Sequence, residues 1–394
     1  MNPPRTIVVV ALGSTQTIAW ASSYYMPAIL GAPIAAALHL SSNVFFGFFS
    51  AALLLSAAIG PTVGRVIDRH GGRAILAVSN LVIAAGLSLL AAAHGIAGLA
   101  VAWIVLGIGL GMGLYDPAFA ALTWLYSREA RAAITGITLI AGFASTLSWP
   151  ASALFLHHFG WRAACLIWAG LNLLLAAPVN WLVIPPRGAS NTAPRLAPEA
   201  VPVELPRGAM PVLAFFFSAT WFVQGAMAAH LPVLLQAAGA SATAAIAAAA
   251  LVGPAQVGAR MIEFGLLRSF HPVASARIAS ILHPLGAGFL LVFGAPGIAA
   301  FAVLHGAGNG MITIAKGTLP LALFGPQAYG RRNGLLSVPA RVLQSAAPFL
   351  FGLLLDRVGV DAVWLSAGLC LAAFASLFAV HPPRAAAGQI SRTR

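Results

Sequence analysis

Five formally charged side chains lie inside long apolar stretches of this 394-residue chain, away from the loops: Arg260, Lys316 and Arg341 against Asp116 and Glu263. An ionisable group near the centre of a bilayer is disfavoured by ~3 kcal/mol on insertion scales, so each of the five is a candidate for function. The balance leaves one cation over, and a surplus cation in a water-filled cavity asks for an anionic ligand. A guanidinium matches a carboxylate with two parallel hydrogen bonds, which makes Arg341 the leading ligand. It stands nine residues beyond Arg332, about 13 Å along a helix. Arg260 has two readings, a cavity ligand or half of an intrahelical pair with Glu263 three residues on. Asp116 has three: carrier of a coupling proton, half of a gate-closing salt bridge with Lys316, or a helix-packing residue before Pro117.

Other polar and aromatic residues at apolar positions are candidate cavity linings. Gln16, Trp20, Tyr24 and Tyr25 face Trp221, Gln224 and His230, and Asn309 sits inside a glycine run. His230 is read either as a proton relay or as a packing histidine, and His283 and His305 as structural. The short loops hold no His/Asp/Glu cluster, so catalysis is not expected. Cys165 and Cys370 belong to no metal or redox spacing, and neither metal nor cofactor is expected. Gly107, Gly109 and Gly111 form a run in mid-span with no strand before it, so they fail the context test for a dinucleotide loop and read as close helix contacts.

The elements that must position these residues are membrane helices. Hydrophobic residues make up 60% of the chain and charged ones 7%, with a mean hydropathy of +0.91. Apolar runs of ~20 residues, the length of a crossing helix, occur near 6–35, 43–66, 74–93, 96–126, 131–158, 162–184, 210–236, 242–266, 274–294, 297–324, 333–356 and 362–380. The expectation is an all-α membrane protein of twelve transmembrane helices. The first run is too long for a signal-peptide core and is read as retained.

The chain is also duplicated. Gly107-x-Gly109-x-Gly111-Met112 returns 199 positions later as Gly306-x-Gly308-x-Gly310-Met311, and the same offset carries Gly160 onto Gly359. This divides the chain into a bundle over 1–185, a Pro-spaced linker over 186–209, a second bundle over 210–382 and a tail over 383–394. Two repeats with a site between them is a transporter architecture.

The net charge of +13 does not imply nucleic acid, because the basic residues alternate between loops. Sixteen arginines, from Arg5 through Arg69 and Arg131 to Arg394, fall on the side of the termini, against Arg162 and Arg357 on the other. That asymmetry puts both termini in the cytoplasm. The partners expected are a lipid bilayer, a small-molecule anion and protons.

Gly64-Arg65-Val66-Ile67-Asp68-Arg69-His70-Gly71-Gly72-Arg73 resembles the G-x-x-x-D-R-x-G-R-R/K signature of the major facilitator superfamily. The resemblance implies a conformational latch at Gly64, Asp68, Arg69, Gly71 and Arg73. Physically, Gly64 and Gly71 permit close approach and a tight turn, Asp68 suits a helix N-terminus, and Arg69 or Arg73 an acidic partner. The matching turn of the second half, Gly265 to His271, has lost the acid.

Within that superfamily the chain looks most like the monocarboxylate and oxalate/formate porters. The similarity rests on Tyr115-Asp116-Pro117, the turn from Arg128 to Arg131, Gly136, Ala141-Gly142, Phe159-Gly160-Trp161-Arg162, Gly325-Pro326-Gln327, Arg260 and Arg341. It implies that Arg260 and Arg341 hold a substrate carboxylate, in a monomer working by proton symport or exchange. The abundance of Ala, with Arg in place of Lys, points to a GC-rich bacterial genome and so to the bacterial inner membrane. An exporter of lipophilic drugs is the alternative. Ser148-Trp149-Pro150, where such antiporters carry Gly-Pro, speaks against it.

Overall fold

The computed structural model describes residues 3–126, 130–186, 208–263, 271–324 and 329–380. Nine described segments are long and apolar enough to cross a membrane. Two of them, 132–183 and 336–379, hold two crossings each, and a broken first crossing over 5–37 completes the expected twelve. They are α1 (5–37), α2 (Ser42–His70), α3 (Arg73–Ala91), α4 (96–126), α5 (130–159), α6 (161–183), α7 (Ala209–Ala237), α8 (242–262), α9 (Pro272–Phe293), α10 (Ile298–Phe324), α11 (Tyr329–Val358) and α12 (363–379). The expected linker and tail fall mostly outside the described residues, as do the 264–270 turn and Gly325-Pro326-Gln327.

Helices α1 to α6 and α7 to α12 form two six-helix bundles, each with buried apolar clusters of its own. Large apolar side chains stay exposed on the outside, Leu174 and Val292 at 77% and 74%, which is the lipid-facing surface of a chain that satisfies its backbone internally. The duplication is visible in the backbone. Gly160 (φ 76°) and Gly359 (φ 59°) hinge α5 into α6 and α11 into α12 in the left-handed region that glycine tolerates. The glycine runs also match. A Cβ at Gly107 would lie 2.8 Å from the Ala52 carbonyl of α2, and one at Gly306 2.6 Å from the Val252 carbonyl of α8, so these glycines let helix backbones touch.

Prolines interrupt the helices where the site is built. Pro27 has no N–H to give Ser23, and the turn before it widens into a π turn over Ala21–Tyr25, with the Met26 amide donating to the Ala21 carbonyl. A second π turn over Asn172–Ala176 precedes Pro178 in α6, and Asn172 Nδ2 donates to Ser22 Oγ at 2.9 Å, joining the two. In α4 the helix breaks at Leu114, whose ψ of −162° is extended, and resumes at Tyr115.

The bundles are tied on the side away from the termini. Asn43 Nδ2 at the start of α2 donates to Asp356 Oδ2 near the end of α11 at 2.7 Å, and the Phe349 amide donates to Ser50 Oγ at 3.2 Å. Between these ties the Phe46 ring lies 4.2 Å from that of His230.

Candidate functional site

A cavity of about 1260 Å³, its open mouth included, lies between the two bundles. The π turn of α1 sends Trp20, Tyr24 and Tyr25 into it, and the restart of α4 adds Tyr115, Asp116 and Phe119. Helices α7, α8, α10 and α11 contribute Trp221 and Gln224, Gln256 and Arg260, Thr313 and Lys316, and Arg341, Gln344 and Ser345. The aromatic groups pack as a continuous wall, Trp20 lying 4.9 Å from Tyr24 and 4.8 Å from Tyr115.

Three cations and one carboxylate line this space among the described residues. Arg341 Nη2 and Asp116 Oδ2 form an ion pair across the bundles. Both side chains remain accessible, at 27% and 53%, although they sit deep within their helices, so the cavity between them is open. Lys316 does not pair with Asp116. Its Nζ lies 3.9 Å from the centroid of the Trp221 ring, a cation–π contact. Of the three readings of Asp116, a salt bridge across the bundles is the one seen, with Arg341 and not Lys316 as the partner.

Arg260 is fixed by backbone carbonyls. Its Nη1 donates to Thr138 of α5 at 2.5 Å and its Nε to Gly310 of α10 at 3.4 Å. Among the described residues it makes no ion pair with Glu263, which stands outside the cavity. The intrahelical ion pair of Arg260 with Glu263 is corrected by this geometry.

Three expected linings lie elsewhere. Gln16 is buried, and its Nε2 donates at 2.6 Å to the Gly113 carbonyl, the very acceptor that Pro117 leaves without an N–H four residues on. His230 is enclosed on the tied side, its Nε2 2.7 Å from the Pro348 carbonyl. Asn309 borders a separate small gap in the second bundle. Trp20, Tyr25, Trp221, Gln224, Arg260, Arg341, Asp116 and Lys316 are brought together as expected.

Gln256, Thr313, Gln344 and Ser345 were missed. Each stands three or four positions from a lining cation on the same helix, so a face count from Arg260, Lys316 and Arg341 finds them all. Gln344 Nε2 reaches the Tyr24 hydroxyl at 3.2 Å and Gln224 Oε1 at 3.5 Å, joining the two bundles above the ion pair.

The turn after α2 departs in part from expectation. Gly71 (φ 82°) makes the tight turn, but a Cβ at Gly64 would meet nothing within 4 Å. The close approach is made by Gly72, whose Cβ would collide with Ala121 of α4. Asp68 and Arg69 are exposed, with no partner among the described residues. Arg73 stacks on Trp181, 4.5 Å from its ring centroid, and meets no acidic partner among the described residues.

The comparisons with known proteins agree with this architecture. Crystal structures of a bacterial homolog of the human lysosomal transporter Spinster, in inward-facing occupied and unoccupied conformations, superpose with TM-scores of 0.65 and 0.66. Each covers 96% of this chain and 95% of its own, at 16% and 15% identity, which is a likeness of fold. A Thermoproteus tenax protein described as an uncharacterized 38 kDa protein in the 23S RNA operon is 29% identical over 339 residues, 84% of either chain. The sequence pattern of the Major Facilitator Superfamily matches residues 12–282, more than half of the chain. With its duplicated helices and its cavity between bundles, the chain belongs to the Major Facilitator Superfamily and is a multi-pass secondary transporter.

Proposed function

We propose that this transporter moves a small organic anion, a monocarboxylate first of all, by alternating access. One observation carries the reading: the cavity is lined by Arg260, Lys316 and Arg341 against Asp116 alone. A lipophilic cation would meet two uncompensated positive charges there, whereas a carboxylate meets the fork of Arg341 and an ammonium close by.

Asp116 occupies Arg341 in this structure and stands where a substrate carboxylate would bind. The arriving anion competes with it, and Lys316 lies within electrostatic reach of both Asp116 and Arg341. Because the pair spans the bundles, exchanging it for a substrate contact also frees the bundles to rock. The aromatic wall from Trp20 to Tyr115 covers the organic part of the substrate. Arginine asymmetry supports cytoplasmic termini for this protein in a bacterial inner membrane, and on that reading the cavity is reached from within and the Asn43–Asp356 side is the outer seal. Proton symport and anion exchange both suit this arrangement.

The test is thermal unfolding of the purified protein with monocarboxylates, dicarboxylates and lipophilic cations, since a ligand of the folded state raises the midpoint. Stabilisation by a monocarboxylate, lost in Arg341→Ala, is expected. Stabilisation by lipophilic cations alone contradicts the reading.

A further inference from the structure

The transport cavity leaves unused a buried polar chain in the second bundle. His283 Nδ1 on α9 lies 3.0 Å from His305 Nδ1 on α10, and His283 Nε2 lies 2.9 Å from Ser366 Oγ on α12. Ser366 Oγ is in turn 2.9 Å from the Val363 carbonyl. All three side chains are buried within a membrane bundle, where apolar residues would pack at less desolvation penalty.

Proton bookkeeping gives the chain a direction. Two ring nitrogens in contact hold a single proton between them. The Ser366 hydroxyl donates to the Val363 carbonyl, so His283 donates from Nε2 to Ser366 Oγ and is left with a lone pair on Nδ1. His305 donates its Nδ1–H to that lone pair. The free lone pair of the chain is then on His305 Nε2, which has no partner among the described residues.

His305 borders a gap with Thr220, Gln224, Asn309 and Cys370, leaving about 10 Å³ for the centre of a water, the room one molecule needs. Gln224 lines this gap and the transport cavity alike.

The charged surroundings make occupation conditional. Helix α7 offers only Thr220 and Gln224, and α12 only Ser366 and Cys370. On α9 the other ionisable group is Arg277, tied to the Leu377 carbonyl at 2.9 Å. On α10 it is Lys316, held over Trp221. Packed α8 brings Gln256 and Arg260, whose Nε points to the Gly310 carbonyl, and Glu263 at its C-terminal end, which does not line the gap. No carboxylate lines the gap among the described residues. A proton on His305 thus adds a positive charge that no carboxylate lining the gap neutralises among the described residues, and an anion in the adjoining cavity supplies the missing countercharge.

We propose that His305, backed by His283 and Ser366, binds the proton that travels with the anion. The proton adds to the Nε2 lone pair and leaves from the same atom, and no other bond changes. This rests on the anion-transport reading above. It assigns the coupling to the second bundle and leaves Asp116 to compete for Arg341.

The test uses the full-length protein in liposomes with lactate as probe, assaying accumulation driven by a pH gradient and lactate–lactate exchange without one. In His305→Gln, accumulation is expected to fall at least about tenfold while exchange stays within about threefold, the mark of a lost coupling free energy. His283→Gln, which removes both the acceptor of the His305 Nδ1–H and the donor to Ser366 Oγ but leaves His305 itself in place, is expected to give the same pattern more weakly. Unchanged accumulation in His305→Gln overturns the proposal, and so does equal loss of accumulation and exchange, which marks a structural role. A wild-type protein that neither binds nor exchanges lactate contradicts the anion reading for that probe. Nitrogen NMR of histidine-labelled protein then decides the proton site alone: a shared N–H···N bond, lost in His283→Gln, with His305 Nε2 gaining a proton as pH falls supports it, and a pair unchanged with pH refutes it.

Discussion

Asp116 and Gln16 are both polar residues in apolar helices, and their contacts assign them opposite tasks. Asp116 holds a cation that the cavity exposes, so removing its charge frees Arg341 for a ligand. Asp116→Asn is expected to bind a carboxylate about fivefold tighter, since an accessible ion pair contributes at most ~1 kcal/mol, and titrated thermal unfolding measures this. Gln16 fills the hydrogen-bond vacancy that Pro117 creates at Gly113. Gln16→Leu is expected to lower stability by about 1–3 kcal/mol, the penalty of an unpaired buried carbonyl, with carboxylate affinity unchanged. A weakened affinity in that variant would return Gln16 to the substrate site.

The helices were legible from the sequence because a crossing needs ~20 apolar residues, and the repeat at 199 positions fixed which of them correspond. The glycine runs were legible as contacts for the same reason, and the carbonyls facing Gly111 and Gly310 specify the outcome of changing them. Gly310→Val, with a Cβ 2.5 Å from the Gln256 carbonyl, is expected to separate α8 from α10 and abolish a folded product, whereas Gly64→Ala leaves folding intact. Size-exclusion profiles of the two variants compare them directly. Position around a helix was less legible than depth along it. One reading of Asp116 bridged it to Lys316, yet the turn of α11 presents Arg341 instead, and His230, placed among the cavity linings, points away toward the Pro348 carbonyl. Gln344 and Ser345 were readable all the same, lying one turn beyond Arg341 on its own face.

At the scale of the molecule, two rigid bundles meet through Asn43, Phe46 and Ser50 on one side of the membrane and leave the cavity open on the other. Alternating access requires that seam to part. A short cross-link between cysteines placed at Asn43 and Asp356 is expected to stop transport while carboxylate binding from the terminal side persists, which separates gating from recognition. Continued transport in the cross-linked protein would mean that the seam is not the gate. The central claim is that the surplus cations of this cavity carry an organic anion on Arg341. Uptake of labelled monocarboxylates into liposomes holding the wild-type protein or Arg341→Gln tests it most directly. The account predicts saturable uptake by the wild type, loss of at least about tenfold when the fork to the carboxylate is removed, and no such loss in Gly64→Ala. Uptake that Arg341→Gln leaves intact would contradict it.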